Sequence, residues 1–246
     1  MLLRHFHDLA EQSQQRYCYT FTNFLNPAEQ AMLLSAGREL TGAGLQLYGQ
    51  EYGCERSMAA FGSEKELGYP PDYPVAIMQI RPAAEKFAEE LNHRDYLGAL
   101  MNLGIDRDQT GDIRVSGKTA WVFCTEKILP YIMEHLTQVR HTAVTCTRSE
   151  QLPAEAQPRF EEKQITAASC RADAAAAALT GLSRSKAQEL FRRKLVMIGG
   201  REAEDPSVLL RPADVLSIRG CGKFIFDGQA GETRSGRSRL IFRKYV

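Results

Sequence analysis

Apolar and polar residues follow two periods along this chain, one typical of helices and one typical of strands. In SRSKAQELFRRKLVMIGG (183–200), apolar residues first recur every three or four positions and then run together as LVMI. The first spacing places side chains on one face of a helix. A short apolar run before two glycines is typical of a strand that enters a turn. The stretch therefore predicts a helix followed by a strand and a hairpin turn.

Residues 1–72 combine helical patterns with short strand-like runs. Within TNFLNPAEQAMLLSAGREL, Asn26 can cap a helix and Glu29 stands where a capping box requires it. Gly42 and Gly44 are expected to end that helix. Two strands, LQLYG and SMAAFG, follow, and then a linker rich in proline, ELGYPPDYP. We expect an N-terminal α/β domain over this range.

Residues 73–150 predict the order β-α-β-β-α-β. The predicted strands are VAIMQIR, GDIRV, TAWVFC and TAVTCT. The predicted helices are PAAEKFAEELNHRDYLGALMNLG, either continuous or broken near His93, and TEKILPYIMEHLTQV, which Pro130 would bend unless the helix starts there. This is the split arrangement of ferredoxin-like and RNA-recognition-motif domains. Trp121 and Phe123 share one face of the third strand, where an RNA-recognition motif carries stacking aromatics. The remaining signature of that motif is absent, which favours core packing for both residues.

Residues 164–246 predict a small helical and hairpin module after a polar connector, SEQLPAEAQPRFEEK. SCRADAAAAALTG predicts a helix with Ser169 as its cap and Gly181 as its terminator. The basic helix follows almost directly, and the strands LVMI and VLSIRG complete the module. The whole pattern predicts an α+β protein of three small modules.

Composition places the chain among globular proteins, with 43% hydrophobic and 25% charged residues. No run of about eighteen apolar residues predicts a membrane helix. The N-terminus, MLLRHFHDLAEQ, reaches charged residues too early for a signal peptide, so we expect a cytoplasmic protein. The six cysteines lie far apart without a C-x-x-C pair, which favours reduced, mostly buried thiols over a zinc site or a disulfide framework.

Positive charge is concentrated in the last third of the chain. Residues 1–160 contain 15 Lys and Arg against 20 Asp and Glu, whereas residues 161–246 contain 16 against 10. An excess of this kind is typical of a module that faces nucleic acid, although a solvated helix face and a charge-guarded edge strand would also account for it.

The basic helix has one apolar and one positive side. Arg184 lies in its first turn, where free backbone N–H groups already favour an anion, so a cation there suggests a partner that supplies negative charge. The candidate RNA-binding residues of this module are Arg171, Ser183, Arg184, Ser185, Lys186, Arg192 and Arg193, with Arg237 and Arg239 in the tail. Arg56 is a further candidate in the first module.

The C-terminal pattern resembles the S-four RNA-binding domain. The resemblance covers R-x-D, L-S-R-S-K-A-Q-E-L, a hairpin, E-D-P and P-x-D-x-L-S-I. The matching residues are Arg171, Asp173, Leu182, Ser183, Arg184, Lys186, Ala187, Asp205, Pro206, Asp214 and Ile218. The departures are Ala172, where the family has leucine, and the Gly-Gly turn at 199–200, where it has Asn-Gly.

The rest of the chain is similar to the YlmH family of bacterial proteins, in YGCERSMAAF, HRDYLGALMNLGIDRDQTGDI and GRSRLIFRKY. The resemblance implies three modules, with an RNA-recognition-like domain in the middle. It also implies a non-enzymatic factor that contacts ribosomal RNA and tRNA on the large ribosomal subunit during quality control of stalled nascent chains. We expect a monomer without cofactor, metal or membrane partner.

An RNA-modifying enzyme is the alternative class. A pseudouridine synthase would need a catalytic Asp in a G-R-L-D segment after the S-four domain, where only about 20 residues remain. A methyltransferase would need a Gly-rich loop after a strand, but TGAGLQ follows a helix. His93, Arg94 and Asp95 could form an acid–base cluster, although adjacent helix positions point in different directions.

Overall fold

The structure is a computed structural model that describes residues 1–40, 44–49, 52–234 and 236–245. The chain forms two compact units, residues 1–157 and 158–246. The described residues form seven α-helices and three β-sheets, which is the mixed α/β content that the pattern predicts. The division into three modules stays a prediction. None of the described helices is long and apolar enough to cross a membrane.

The first sheet lies near the N-terminus and packs against two helices. Its elements are α1 (Leu2–Arg16), β1 (Thr20–Leu25), α2 (Pro27–Leu40), β2 (Leu45–Tyr48), β3 (Ser57–Phe61) and α3 (Glu64–Leu67). The antiparallel strand order is β1-β3-β2, and Phe6, Leu33 and Phe61 are fully buried between sheet and helices. Strand β1 was not predicted from the sequence. Gly42, predicted to end α2, lies outside the described residues.

The capping box at the start of α2 is confirmed. Asn26 Oδ1 accepts the Glu29 N–H at 3.0 Å, and Glu29 Oε2 accepts the Asn26 N–H at 2.7 Å. Two backbone donors that the helix cannot satisfy by itself therefore have partners.

The second sheet has the predicted split topology. Its elements are β4 (Val75–Pro82), α4 (His93–Asn102), β5 (Thr110–Ser116), β6 (Thr119–Thr125), α5 (Leu129–His135), β7 (Gln138–Val139) and β8 (Thr142–Ser149). The antiparallel order β5-β6-β4-β8-β7 puts the first and third predicted strands in the centre. Short 3₁₀ turns lie at Glu85–Phe87, Arg107–Gln109 and Ala154–Ala156.

The long helix predicted over residues 82–104 is wrong in its first half. The chain still follows β8 after β4 ends, because the Ala83 N–H donates to the Ala143 carbonyl at 2.9 Å. The helix begins only at His93, where Asn92 Oδ1 accepts the Arg94 N–H and Asp95 Oδ2 accepts the Asn92 N–H, both at 2.9 Å. A capping box inside the apparent helical pattern therefore fixes its true start.

The two faces of the second sheet are covered differently. Helices α4 and α5 cover one face through residues such as Tyr96 and Ile132. The other face carries Trp121, 3% exposed, and Phe123, 1% exposed, which pack against Phe24 of β1 and other residues near the first sheet. Core packing of both aromatics is therefore confirmed, and the two sheets share a hydrophobic cluster within the first unit.

The second unit is a six-stranded sheet that packs against two helices. Its elements are β9 (Phe160–Ala167), α6 (Ala172–Thr180), α7 (Arg184–Arg192), β10 (Val196–Ile198), β11 (Arg201–Glu202), β12 (Val215–Ile218), β13 (Gly222–Glu232) and β14 (Ser238–Tyr245). The strand order is β11-β10-β12-β13-β14-β9. Gly199 and Gly200 have φ of 56° and 77°, which suits the tight turn predicted between β10 and β11.

Two predictions for this unit are corrected. Residues 160–163, read as part of a polar connector, belong to β9, which pairs with β14 along its whole length. Ser169 is not the cap of α6, because the cap position is Arg171, whose N–H donates to Ser169 Oγ at 3.4 Å. Gly181 does end α6, with a φ of 71°.

Candidate nucleic-acid interface

Helix α7 separates apolar from basic side chains as its pattern predicts. Ala187 and Phe191 are buried against the core of the second unit. Lys186, Arg192 and Arg193 are exposed on the helix surface. The helix begins at a cap formed by Ser183, whose Oγ accepts the Lys186 N–H at 3.4 Å. Helix α7 therefore presents three cations to solvent, while its apolar side packs against the core of the second unit.

The centre of this region is the fully buried carboxylate of Asp173. It accepts hydrogen bonds from Arg171 Nε, Arg184 Nε and Gln188 Nε2, each at 3.1 Å. Burial alone would raise the pKa of Asp173, but the hydrogen bonds from these three side chains outweigh it and lower the pKa to about 2. An ionised carboxylate therefore holds two guanidinium groups close together.

Both guanidinium groups still reach solvent. The side chain of Arg184 is 50% exposed and that of Arg171 is 35% exposed. A guanidinium carries five N–H donors, and the bonds to Asp173 use two on each. Donors remain on each arginine for an anionic partner.

Arg184 and Arg237 border a cleft of 380 Å³ on the surface of the second unit. Alanines of α6 and the backbone near Thr166 line much of the cleft. Arg237 donates to the Thr166 carbonyl at 3.4 Å, and Arg239 pairs with Thr166 in the β9–β14 ladder. The structure therefore brings the predicted tail residue Arg237 to the same cleft as the predicted helix residue Arg184.

The remaining charges of α7 are only partly neutralised. Arg192 forms an ion pair with Glu189 at 2.6 Å, one turn earlier. Within the described part of the chain, Lys186 and Arg193 form no ion pair with a carboxylate, and both are exposed. Ser185 is exposed beside them, with its Oγ 3.1 Å from Ser183 Oγ. Uncompensated positive charge is the property that attracts a phosphate backbone.

Similar known proteins identify the family of this chain. A family model described as "Putative RNA-binding domain in YlmH" matches residues 69–152. The protein called "Ribosome-associated protein quality control protein P2" from Bacillus subtilis (strain 168) is 31% identical over 235 residues, which is 94% of this chain and 89% of that protein. The chain belongs to the YlmH family.

A solved structure is also similar to this YlmH family member. It is the cell division protein ylmH from Streptococcus pneumoniae, 19% identical, with the match covering 60% of this chain and 88% of that chain. Its TM-score of 0.49 is too low to bear on the fold.

The first two backbone N–H groups of α6 are not available to bind an anion. Its first backbone donors, the N–H groups of Ala172 and Asp173, bond to the carbonyls of Val208 and Pro206, each at 2.9 Å. A phosphate could not use these donors without displacing the loop. In this member of the YlmH family, Arg171 can contribute only through its side chain.

Arg56 belongs to the first unit, whereas the S-four-like residues belong to the second. Its Nη2 donates to the Phe24 carbonyl at 2.6 Å, and its backbone N–H donates to Asp112 Oδ1 at 2.9 Å. Burial lowers the pKa of the Arg56 guanidinium, and the carboxylates around it oppose that shift. These bonds join the first sheet to the second, so the geometry favours a structural role over the predicted RNA contact.

The possible acid–base cluster does not assemble. Asp95 is engaged by the Asn92 N–H and by Arg140 at 3.4 Å, as a cap and an ion-pair partner. Burial and the nearby Arg107 lower the pKa of His93. His93 and Asp95 thus have separate surroundings, as expected for adjacent helix positions.

The cysteines are reduced but less buried than predicted. Cys124 is buried, and burial raises its pKa to about 12. Cys221 is exposed, and the other four are half-buried.

Gln188 is the functional neighbour that the sequence interpretation missed. It lies four residues after Arg184, and that spacing places both side chains on the same face of α7. The same spacing rule could have identified Gln188 as a neighbour of Arg184 on the candidate surface.

Proposed function

We propose that the protein is a non-enzymatic RNA-binding factor that docks on the ribosome through its second unit. The supporting observation is the set of exposed cations on α7, together with Arg171 and Arg184 held by the buried carboxylate of Asp173. A guanidinium fixed in this way loses little freedom when it binds a phosphate.

The contacts are assigned to phosphates. Arg171, Arg184, Lys186, Arg192 and Arg193 supply positive charge, while Ser183, Ser185, Arg237 and Arg239 supply further donors at the edge of the surface. Phosphate contacts position a protein without reading the base sequence. Specificity then comes from the shape of folded RNA.

The site of action that we propose is the large ribosomal subunit, where ribosomal RNA and bound tRNA meet. The Bacillus subtilis relative is, by its name, a ribosome-associated protein of quality control. By extension, this chain acts as a cytoplasmic monomer on subunits obstructed by stalled nascent chains. No cofactor enters this proposal.

Cosedimentation with large subunits tests the proposal directly. The wild-type protein should pellet with large subunits, and more strongly with subunits that carry tRNA than with empty ones. The double variant Lys186→Gln/Arg193→Gln should remain in the supernatant because it lacks two unpaired cations. Failure of the wild-type protein to pellet with either form of the subunit would overturn the proposal.

The rival class, an RNA-modifying enzyme, makes a different forecast. Deletion of the gene should remove a modified nucleoside from ribosomal RNA or tRNA if the protein is an enzyme. Mass spectrometry of digested RNA from deletion and parent strains should show the same nucleosides if the protein acts by docking.

A further inference from the structure

The face of the second sheet that RNA-recognition motifs use is covered in this protein. Those motifs stack bases on aromatic side chains of an open sheet face. Here Trp121 and Phe123 occupy that face and are almost completely buried, in one cluster with Phe24 and Met58. A base could reach them only if the first unit came apart. Any RNA contact made by this domain must therefore use another surface.

The opposite, helical side of the same domain contains an open cleft of 620 Å³ between α4 and the segment from α5 to β7. Small residues of α4 form one wall, and polar side chains surround the opening. The polar residues relevant here are Arg94, Asn102, His135, Gln138 and Arg140. The volume lies within the range of roughly 300–1,000 Å³ that is typical of small-ligand sites.

Two guanidinium groups give the cleft its charge. Arg94 is exposed, and the side chain of Arg140 is 57% exposed. Asp95, which also lines the cleft, lies 3.4 Å from Arg140 and is fixed by the Asn92 N–H. The lining of the cleft thus contains one carboxylate, that of Asp95, and two guanidinium groups. N–H donors therefore remain on the two arginines for an anion.

The other groups of the cleft suit a nucleotide better than a ligand that carries only a carboxylate. The amide of Asn102 can donate and accept, as base edges require. Gln138 Nε2 already donates to the Arg140 carbonyl at 2.7 Å, which leaves one N–H and the amide oxygen of Gln138 for a ligand. The ring of His135 stacks on Tyr131 with centroids 4.3 Å apart and an angle of 23°. Glu134 lies near that ring, 4.0 Å from Nδ1, but is largely exposed. Phosphate donors, amides and the ring of His135 therefore occur together in the lining of the cleft.

The glycine at position 98 indicates that the open volume of the cleft has a function. It lies inside α4, where glycine destabilises a helix relative to alanine. A Cβ at this position would meet no described atom within 4 Å beyond its own helix backbone and its two chain neighbours. Neither packing nor a positive φ requires a glycine here. The missing side chain of Gly98 leaves the space beside this wall of the cleft open.

We propose that this cleft, named here the α4–α5 cleft, is a second RNA site that holds one phosphate and an adjacent unpaired base. The inference rests on the proposed function, since it assumes that RNA is the partner. It assigns Arg94 and Arg140 to the phosphate, and the amides of Asn102 and Gln138 with the ring of His135 to the base.

The test is photochemical crosslinking of the full chain to a single-stranded RNA that contains 4-thiouridine, followed by mapping of the crosslinked peptides. Gly98→Leu fills the cleft and Gly98→Ala leaves it open, while both residues are good helix formers. The wild-type protein and Gly98→Ala should crosslink within residues 94–102 or 134–140. Gly98→Leu should lose those crosslinks and keep the ones on α7. Arg94→Gln/Arg140→Gln should weaken RNA binding by about tenfold.

The outcomes separate this inference from the proposed function. Crosslinks on α7 alone, with unchanged affinity in the cleft variants, would overturn the cleft site and leave the docking proposal intact. Absence of crosslinks anywhere in the wild-type protein would overturn both. If Gly98→Leu weakens ribosome binding although wild-type RNA crosslinks never map to the cleft, its occupant is a ribosomal protein and the RNA assignment is wrong.

Discussion

Arg184 Nε donates to the buried carboxylate of Asp173 at 3.1 Å, so one ion pair joins the first turn of α7 to the first turn of α6. Arg171 binds the same carboxylate from the other side, at the start of α6. The two arginines are therefore positioned by the folded core rather than by the ligand. Such preorganisation reduces the entropy lost on binding.

Asp173→Asn should destabilise the protein at neutral pH. Because hydrogen bonds lower the pKa of Asp173 to about 2, its contribution is present above its ordinary pKa and is lost as the pH falls through the folded value. A shift of this size corresponds to about 2 kcal/mol. Urea unfolding of the variant should show that loss at neutral pH and a weaker dependence on pH in the acid range.

Asp227→Asn provides the matched control. Asp227 also binds an arginine, Arg243, through three hydrogen bonds, but the side chain of Asp227 is 29% exposed, whereas that of Asp173 is fully buried. Such exposed pairs contribute about 0–1 kcal/mol. Equal losses of unfolding free energy in the two variants would contradict the prediction that the buried carboxylate of Asp173 stabilises the protein more than an exposed one.

Lys186→Gln and Arg193→Gln should each weaken the salt dependence of RNA binding. A protein cation that binds a phosphate releases a condensed counterion, so each lost contact should reduce the log–log slope by roughly 0.7 to 0.9. Fluorescence anisotropy with labelled RNA at several salt concentrations measures this slope. Arg148→Gln should leave it unchanged, because Glu126 already neutralises Arg148. An unchanged slope in the double variant would rule out these phosphate contacts.

Arg56→Ala should affect stability and not RNA binding. The substitution leaves the Phe24 carbonyl without its guanidinium donor and removes a half-buried side chain between the two sheets of the first unit. Loss of such a bond should lower the free energy of unfolding by about 1–3 kcal/mol. The salt slope should match that of the wild-type protein. A reduced slope with normal stability would restore Arg56 as an RNA contact.

Local signals in the sequence predicted much of this fold. The capping box of Asn26 and Glu29, the terminator Gly181 and the order of strands and helices along residues 73–150 all depend on neighbouring residues or simple periodicity. The basic and apolar sides of α7 follow from its spacing alone. These features need no knowledge of distant contacts.

Features that depend on distant contacts were missed. Strand β9 looks like a polar connector because only Ile165 and Ala167 are buried, and its pairing with β14 lies more than seventy residues away. The first half of the predicted long helix is wrong because the chain after Pro82 still bonds to β8, through the Ala83 N–H, whereas the half from His93 onward is helical. At the candidate site, no local rule joins Asp173 to Arg184, eleven residues later on another helix.

Trp121, the one tryptophan of the chain, reports whether the covered sheet face takes part in RNA binding. Because it is 3% exposed, its fluorescence should be blue-shifted and poorly quenched by iodide in the folded protein. RNA that saturates the protein, as measured by anisotropy, should leave this emission unchanged, since the bases cannot stack on a buried ring. Urea should shift the emission to the red and serves as the positive control. A quench that saturates with the RNA would mean that the two sheets separate on binding, and the sheet face would then replace the α4–α5 cleft as the second RNA site.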